Sequence, residues 1–323
     1  MTEPLFFQLH DAHAPAQAQA LAAEAVTGLV AHPARVSPKF FYDTLGSRLF
    51  DAITALDEYY PTRAEAGIFA GQGEAMAAWL RQRLPAGYSL LDLGAGNCAK
   101  AASLFGVLRP RRYVAIDISV DFLRGTLQQL QRQHPGLPMV GVGLDFSGGL
   151  ALPAELRDGP ALVFYPGSSI GNFDPGAALA LLRQAHALAA GGALLIGVDR
   201  VKDSATLEAA YDDPLGVTAA FNLNLLRHLN RLIGSDFDPR AWRHVALFDR
   251  AASRIEMHLE ARRALTVRWP GGERAFAAGE RLHTENSYKW QPADFESLLH
   301  DAGFRQVQHH SDANGTFSVF LAA

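Results

Sequence analysis

The residues Asp92-Leu93-Gly94-Ala95-Gly96 end an apolar run and have the composition of a nucleotide-binding turn. Glycines there let the backbone turn tightly and approach a ligand closely, and the N-terminus of the following helix offers unpaired N–H groups. Asp117 follows Gly96 by twenty-one residues, where a carboxylate at a strand end can accept hydrogen bonds from ribose hydroxyls. Asp145-Phe146 offers an acid for the amino group of adenine and a ring for its face. These residues predict a site for an adenosine-containing cofactor.

Two cofactors fit the glycine run. The stretch from Gly94 to Ala99 also satisfies the dinucleotide pattern GxGxxG/A, so an NAD(P)-dependent oxidoreductase stays open, as does a purely structural turn. Asp92 before the glycines, Asp145-Phe146 downstream and a C-terminal strand pair favour S-adenosylmethionine instead. Cys98 stands where a methyltransferase loop usually has a third glycine, and it is interpreted as a packing residue because no local base marks it as a nucleophile.

The elements that must position these residues alternate between strand and helix. Five apolar runs predict buried parallel strands with helical crossovers: YSLLDLGAG, RRYVAIDIS, PMVGVGLDF, ALVFYPGSSIG and GALLIGVDR. After Lys202 the pattern changes to helix and then to long antiparallel strands, before a last helix and a strand pair joined through Ala313-Asn314-Gly315. We expect an α/β fold with a seven-stranded sheet in 63–201 and 286–323, and a second α+β domain in 1–62 and 202–285. Residues 1 to about 20 read as a loose arm, followed by a helix over Ala18 to Ala31.

The composition limits the classes of function. Among the 323 residues 49% are hydrophobic and 19% charged, as in a globular protein, and the net charge of −4 argues against nonspecific nucleic-acid binding. The single cysteine, Cys98, excludes an intramolecular disulfide and fits the cytoplasm. The N-terminus has no signal-peptide pattern, and no apolar stretch is long enough to span a bilayer. The histidines lack metal-ligand spacing, so no metal is expected. The sequence does not give the oligomeric state, and a monomer is our working expectation.

Several longer blocks resemble one family. They are YDTLGSRLFDAITALDEYYPTRAE at 42–65, FYPGSSIGNF at 164–173, YDDPLGVTAAFNLNLL at 211–226, Ile255-Glu256-Met257, and HTENSYKW at 283–290. In this order they resemble the histidine-specific Nα-methyltransferases of ergothioneine biosynthesis, over nearly the whole chain. The resemblance implies a Rossmann-like class I methyltransferase domain with a second domain. It also implies three methyl transfers from S-adenosylmethionine to the α-amino group of free histidine, which give trimethylhistidine (hercynine).

The resemblance also implies roles for individual residues. Those at the cofactor are Gly94, Gly96, Lys100, Asp117, Asp145 and Phe146. Those that hold the backbone of the amino acid are Tyr59, Asn172 and Tyr211, with Gly167 near the amine. Glu285 and Ser287 match the pair that grips the imidazole, and the surrounding pocket matches Tyr42, Phe50, Thr218 and Met257. Asn172 and Tyr42 are the expected catalytic residues, because Asn172 would hold a neutral amine whose proton leaves to solvent or through Tyr42 and water.

Four of these residues also have an ordinary structural interpretation. Tyr59 beside a proline could be a packing aromatic, Asn172 with Asp174 could cap a helix, and Glu285 with Ser287 could be an exposed polar pair on one face of a strand. Other substrates stay open as well, namely tryptophan, another aromatic amino acid or a ring nitrogen of a histidine derivative. A noncatalytic regulator that keeps the fold is a further alternative.

Overall fold

The computed structural model describes residues 3–9 and 14–323. These residues divide into two units, each with its own hydrophobic core. Unit 1 contains residues 3–9, Pro61–Val201 and Tyr288–Ala323. Unit 2 contains Lys202–Ser287 and the described residues between 14 and 60. Within these described residues, no helix is both long and apolar enough to cross a membrane.

Unit 1 is built on an eight-stranded, mostly parallel sheet of an α/β fold. Its strands are β1 (Leu5–Gln8), β2 (Ser89–Leu93), β3 (Arg112–Asp117), β4 (Met139–Gly143), β5 (Ala161–Tyr165), β6 (Ala193–Asp199), β12 (Val307–Ser311) and β13 (Phe317–Ala322); strands β7 to β11 lie in unit 2. The spatial order is β1-β4-β3-β2-β5-β6-β13-β12, and β13 pairs antiparallel with both β6 and β12. Strands β2, β4, β5 and β6 are buried along their whole length, which is why each reads as a continuous apolar run.

Helices complete unit 1 on both faces of the sheet. They are α3 (Tyr60–Arg81, whose first residue belongs to unit 2), α4 (Ala99–Leu108), α5 (Val120–Gln133), α6 (Pro175–Ala189) and α9 (Pro292–Asp301). Leu90 and Leu91 are neighbours in β2 but belong to different apolar clusters, since successive strand side chains point to opposite faces. Short 3-10 turns at Phe146–Gly148, Ala154–Leu156 and Ser169–Asn172 follow strand ends or connect elements.

The eighth strand corrects the expectation of seven strands and a loose arm over residues 1 to about 20. Strand β1 pairs in parallel with β4, with Phe6 opposite Gly141, and therefore joins unit 1 rather than the second domain. A Cβ atom on Gly141 would lie 2.2 Å from the Phe6 ring, so the glycine provides the space for this side chain. The Arg124 guanidinium lies over the Phe6 ring, 4.3 Å from the ring centre. The first helix also begins earlier than expected, at Pro15.

Unit 2 combines helices with two small antiparallel sheets. Its helices are α1 (Pro15–Val30), α2 (Thr44–Ile53), α7 (Ser204–Ala209) and α8 (Val217–Ile233), with 3-10 turns at Pro38–Phe41 and Pro239–Ala241. One sheet has the order β11-β8-β7, from β7 (Trp242–Asp249), β8 (Arg254–Ala261) and β11 (Arg281–Tyr288). The other is a hairpin of β9 (Leu265–Trp269) and β10 (Gly272–Phe276). Phe41, Phe221 and Trp242 are among the buried residues of its core.

Candidate functional site

The turn after β2 needs glycine at the positions that the sequence singled out. Gly94 and Gly96 have φ values of 68° and 53°, in the left-handed region that favours glycine. The N–H groups of Gly94 and Ala95 donate to the Ile116 carbonyl at 2.9 and 3.1 Å, so the turn is held against the end of β3. Cys98, at φ 58°, adopts the same backbone region without being a glycine. Its thiol is buried in the core of unit 1, and burial raises the pKa of this thiol, which agrees with a packing residue.

Asp117 fastens the end of β3 to the glycine turn. Its carboxylate accepts hydrogen bonds from the N–H groups of Gly96 at 2.9 Å and Ser119 at 2.8 Å. Desolvation by burial raises the pKa of Asp117, although these backbone donors act against that shift. The predicted ribose-binding acid thus lies directly beside the predicted nucleotide-binding turn.

Asp92, two residues before Gly94, lies within the core. It is 2% exposed, and the Tyr113 hydroxyl donates to its Oδ2 atom at 2.6 Å. Burial raises the pKa of Asp92 to about 7. The acid that precedes the glycines therefore has a buried phenol as its neighbour.

The two residues that were predicted to bind adenine, Asp145 and Phe146, follow β4. Asp145 caps the 3-10 turn Phe146–Gly148, accepting from the Ser147 N–H at 3.0 Å and the Ser147 hydroxyl at 2.5 Å. The Phe146 ring packs edge-on against Tyr165, with ring centres 5.8 Å apart. A Cβ atom on Gly94 would lie 3.9 Å from the Phe146 ring, so ring and glycine turn are immediate neighbours. A planar base can lie against an aromatic face at this position.

Lys100, in the first turn of α4, is joined to Gly167 through Glu65, which is not among the predicted site residues. The Lys100 ammonium lies 2.6 Å from Oε2 of Glu65, and the Gly167 N–H donates to Oε1 of Glu65 at 2.9 Å. Glu65 belongs to α3 and has no solvent exposure. The only signal for it in the sequence was its place at the end of the block EYYPTRAE.

Asn172 lies in the 3-10 turn Ser169–Asn172, ahead of α6. That helix is capped by Asp174, whose carboxylate accepts from the Ala177 N–H at 2.9 Å. Capping of α6 is therefore carried out by Asp174 and does not account for Asn172.

In unit 2 four of the predicted residues form a chain of edge-to-face aromatic contacts. Ring centres lie 5.9 Å apart for Tyr42 and Phe50, 6.2 Å for Phe50 and Tyr59, and 6.3 Å for Tyr59 and Tyr211. Tyr59 is 8% exposed and belongs to the core of unit 2, so it does pack as an aromatic. The packing also fixes where its hydroxyl lies, which is compatible with a polar function.

Glu285 and Ser287 lie two residues apart on β11, and their side chains therefore share one face of the strand. They are 7% and 3% exposed, which contradicts the alternative of an exposed polar pair. The Tyr211 hydroxyl donates to the Ser287 hydroxyl at 2.8 Å. Burial of a carboxylate and a hydroxyl is costly unless partners compensate for the lost water.

The two remaining residues that were predicted to line the substrate pocket are buried in the same unit. Met257, on β8, is 2% exposed, and its carbonyl accepts from the Thr284 hydroxyl at 3.0 Å. Thr218 is 3% exposed at the start of α8, and its N–H donates to Asp213 at 2.8 Å. Within 3–9 and 14–323, no group of three or more His, Cys, Asp or Glu residues could hold a metal ion.

Comparison with known proteins gives consistent matches along the chain. Residues 21–323 match a family described as "Histidine-specific methyltransferase, SAM-dependent". The chain is 40% identical to "Histidine N-alpha-methyltransferase" of Mycobacterium tuberculosis, over 94% of this chain and 95% of that protein. It is 39% identical to the protein of the same name from Mycolicibacterium smegmatis, over 96% of both. It is 30% identical to "Ergothioneine biosynthesis protein 1" of Neurospora crassa, over 87% of this chain and 32% of that protein.

Proposed function

The chain belongs to the family of histidine-specific methyltransferases that use S-adenosylmethionine, and we propose that it methylates the α-amino group of free L-histidine. The product after three transfers is trimethylhistidine, as in ergothioneine biosynthesis. The observation that carries this proposal is the buried pair of Glu285 and Ser287 on one face of β11. Membership of this family overturns the alternative of an NAD(P)-dependent oxidoreductase.

The pair suits a neutral imidazole, which has one N–H donor and one nitrogen acceptor. The carboxylate of Glu285 accepts from the ring N–H, and the hydroxyl of Ser287 donates to the other nitrogen. An amino acid with an apolar ring would leave the Glu285 carboxylate unpaired, at a cost of roughly 1–3 kcal/mol. In this proposal Tyr42, Phe50, Thr218 and Met257 shape the pocket, and Tyr59 and Tyr211 orient the backbone of the amino acid.

The residues around the glycine turn fit a nucleoside cofactor. Gly94 has no side chain to obstruct the approach of a ligand, and the Phe146 ring lies beside it. When bound, S-adenosylmethionine supplies a methyl group already activated on a sulfonium. We assign Asp117 to the ribose hydroxyls, Asp145 and Phe146 to the adenine, Gly94 and Gly96 to the close approach of the backbone, and Lys100 to the polar end of the cofactor.

The chain must also present the amine in its neutral form, since an ammonium has no lone pair for the attack. We assign Asn172 and the Gly167 carbonyl to holding this amine. Its proton leaves to solvent or through Tyr42 and ordered water. Positioning then supplies most of the acceleration.

The direct test is mass spectrometry of free histidine incubated with the protein and S-adenosylmethionine. We expect successive gains of one, two and three methyl groups on histidine, and much less product with tryptophan, tyrosine or phenylalanine. Methylation of another amino acid in preference to histidine, or attachment of the methyl group to a ring nitrogen, would contradict the proposal.

We further propose that the protein acts on this small molecule in the cytoplasm as a monomer. Its single cysteine, Cys98, is buried and unable to form an intramolecular disulfide. Light scattering coupled to gel filtration tests the monomer, and a mass of twice the chain would contradict it.

A further inference from the structure

Glu65 is a buried acid at the centre of a cluster drawn from several elements of unit 1. It is 0% exposed on α3. Its carboxylate lies 2.6 Å from the Lys100 ammonium, and its two oxygens lie 2.9 and 3.1 Å from the Gly167 N–H. One carboxylate thus contacts the start of α4 and the loop after β5.

The surrounding backbone provides the space for this arrangement at two glycines. A Cβ atom on Gly197, in the middle of β6, would lie 1.9 Å from Oε1 of Glu65. A Cβ atom on Gly167 would lie 2.9 Å from the Lys100 ammonium, and Gly167 has a φ of 81°. Glycine inside a strand is unfavourable unless another group approaches closely, as the carboxylate does at Gly197. Two glycines therefore accommodate the cluster.

The charges of the cluster are matched. The Glu65 carboxylate is fully buried and is compensated by an ammonium and a backbone N–H, whereas the Lys100 side chain is 32% exposed. The buried carboxylate is held in place by these partners, because removing one of them would leave a buried charge uncompensated and destabilise the protein. Glu65 consequently fixes where the Lys100 ammonium lies and which way the Pro166–Gly167 peptide points.

We propose that Glu65 is a positioning residue, which couples the cofactor-binding residue Lys100 to the amine-binding Gly167 through one carboxylate. This rests on the proposed function, in which Lys100 contacts the methyl donor and Gly167 the amine. A residue with this role affects both the binding of the donor and the turnover of the bound complex, without contacting either ligand.

The test compares E65Q with E74Q, a matched substitution on the same helix at a side chain that is 78% exposed. Glutamine keeps the size of Glu65 and can still accept from Gly167, but it carries no charge to hold Lys100. We expect E65Q to bind S-adenosylhomocysteine about tenfold more weakly in calorimetry, and kcat at saturating substrates to fall by about tenfold. E74Q is expected to match the wild type, and circular dichroism checks that both variants are folded.

A double-mutant cycle separates positioning from general destabilisation. If Glu65 acts through Lys100, the affinity of E65Q/K100M for S-adenosylhomocysteine should be no lower than that of K100M alone. Additive losses of affinity in the cycle would overturn the proposal, as would wild-type affinity and kcat in folded E65Q. If E65Q does not fold, E65D replaces it, because aspartate keeps the negative charge but is one methylene group shorter. We expect E65D to lose affinity for S-adenosylhomocysteine and kcat to a smaller extent than E65Q. An E65D variant with the affinity and kcat of the wild type would count against the proposal equally.

The binding arm uses S-adenosylhomocysteine alone and is therefore independent of the amino-acid substrate. Failure of the wild type to methylate histidine would contradict the proposed function while the coupling between Glu65 and Lys100 could still be measured. Additivity in the cycle with normal histidine methylation would contradict only the positioning role.

Discussion

The Tyr211 hydroxyl donates a 2.8 Å hydrogen bond to the hydroxyl of Ser287, and both side chains are buried in unit 2. Because Ser287 accepts this bond, its own proton points away from Tyr211, and the serine is oriented as a donor. The two residues are 76 positions apart in the sequence. In the proposed function this bond prepares Ser287 to donate to the unprotonated nitrogen of the imidazole.

Tyr211→Phe removes this bond and keeps the aromatic packing with Tyr59. We expect the KM for histidine to rise by about two- to tenfold, corresponding to the net free energy of one neutral hydrogen bond. The affinity for S-adenosylhomocysteine should stay at the wild-type value, as measured by calorimetry. Tyr88→Phe is the matched control, because its hydroxyl donates to the Leu108 carbonyl in unit 1. A KM that rises equally in both variants would contradict the specific role of Tyr211.

Glu285→Gln tests the recognition of the ring by a carboxylate. The amide has the same size but no charge, so we expect histidine affinity to fall by about 1–3 kcal/mol, or five- to 150-fold. Calorimetry with histidine in the presence of S-adenosylhomocysteine measures this loss. Glu273→Gln, on β10 with a side chain 64% exposed, is the control and should bind histidine normally. Retained histidine affinity in the Glu285 variant would show that the ring is recognised elsewhere.

Asn172→Ala and Asp174→Ala should separate catalysis from helix capping. Loss of a group that aligns the amine is expected to lower kcat by about 10- to 100-fold with little change in thermal stability. Loss of the Asp174 cap should instead cost about 1 kcal/mol of stability and leave kcat near normal. Steady-state kinetics and thermal unfolding of the two variants measure these effects. An Asn172 variant with wild-type KM and kcat would contradict the assignment.

The central strands and the glycine turn after β2 could be predicted from sequence because their signals are local. A parallel strand that is buried on both faces, such as β5, reads as one apolar run, and the acid or glycine at its end marks the edge of the sheet where we expect the cofactor. Glu65 gave no such signal, since a single acid within a helix is ordinarily exposed. Its burial depends on Lys100, Gly167 and Gly197, which come from three other parts of the chain.

Strand β1 escaped prediction for a related reason. Its four residues, LFFQ, are too few to establish a period, and its partner β4 lies more than a hundred residues away along the chain. The space for Phe6 exists only because Gly141 occupies the facing position. Local propensity cannot anticipate a strand that is specified by such a remote glycine.

The buried Asp92 predicts a pH dependence of stability. Burial, reinforced by the nearby charges of Asp117 and Glu65 and opposed by the Tyr113 hydroxyl and Lys100, raises the pKa of Asp92 to about 7. The folded state therefore binds the Asp92 proton more tightly than the unfolded state, in which the carboxyl titrates near its ordinary pKa of about 3.9. The resulting stabilisation is fully present below about pH 4 and is lost as the pH rises through about 7, on the order of 4 kcal/mol in total.

Asp92→Asn removes this titration and retains an oxygen that can accept from Tyr113. We expect the free energy of unfolding of the variant, relative to the wild type, to increase by a few kcal/mol between pH 5 and pH 8. Urea unfolding of the cofactor-free proteins at both pH values measures the difference. Tyr113→Phe is the companion variant, because loss of its hydroxyl should move the transition of Asp92 to higher pH. An unchanged difference between Asp92→Asn and the wild type at the two pH values would contradict the burial of a titrating carboxyl.

Gly141→Ala tests whether the pairing of β1 with β4 contributes to the stability of the sheet. The new methyl group would lie 2.2 Å from the Phe6 ring, so the ring must move or the edge strand must detach from β4. Overpacking of this kind is expected to lower the free energy of unfolding by about 1–3 kcal/mol, and hydrogen exchange at Leu5–Gln8 should become faster. Gly125→Ala on α5 has no heavy atom within 4 Å of the new methyl group and should instead raise stability by about 0.5–1 kcal/mol, because alanine favours a helix interior. The opposite signs exclude a general effect of glycine replacement. If both variants were stabilised and exchange at β1 stayed unchanged, the Phe6 ring would not occupy the space above Gly141.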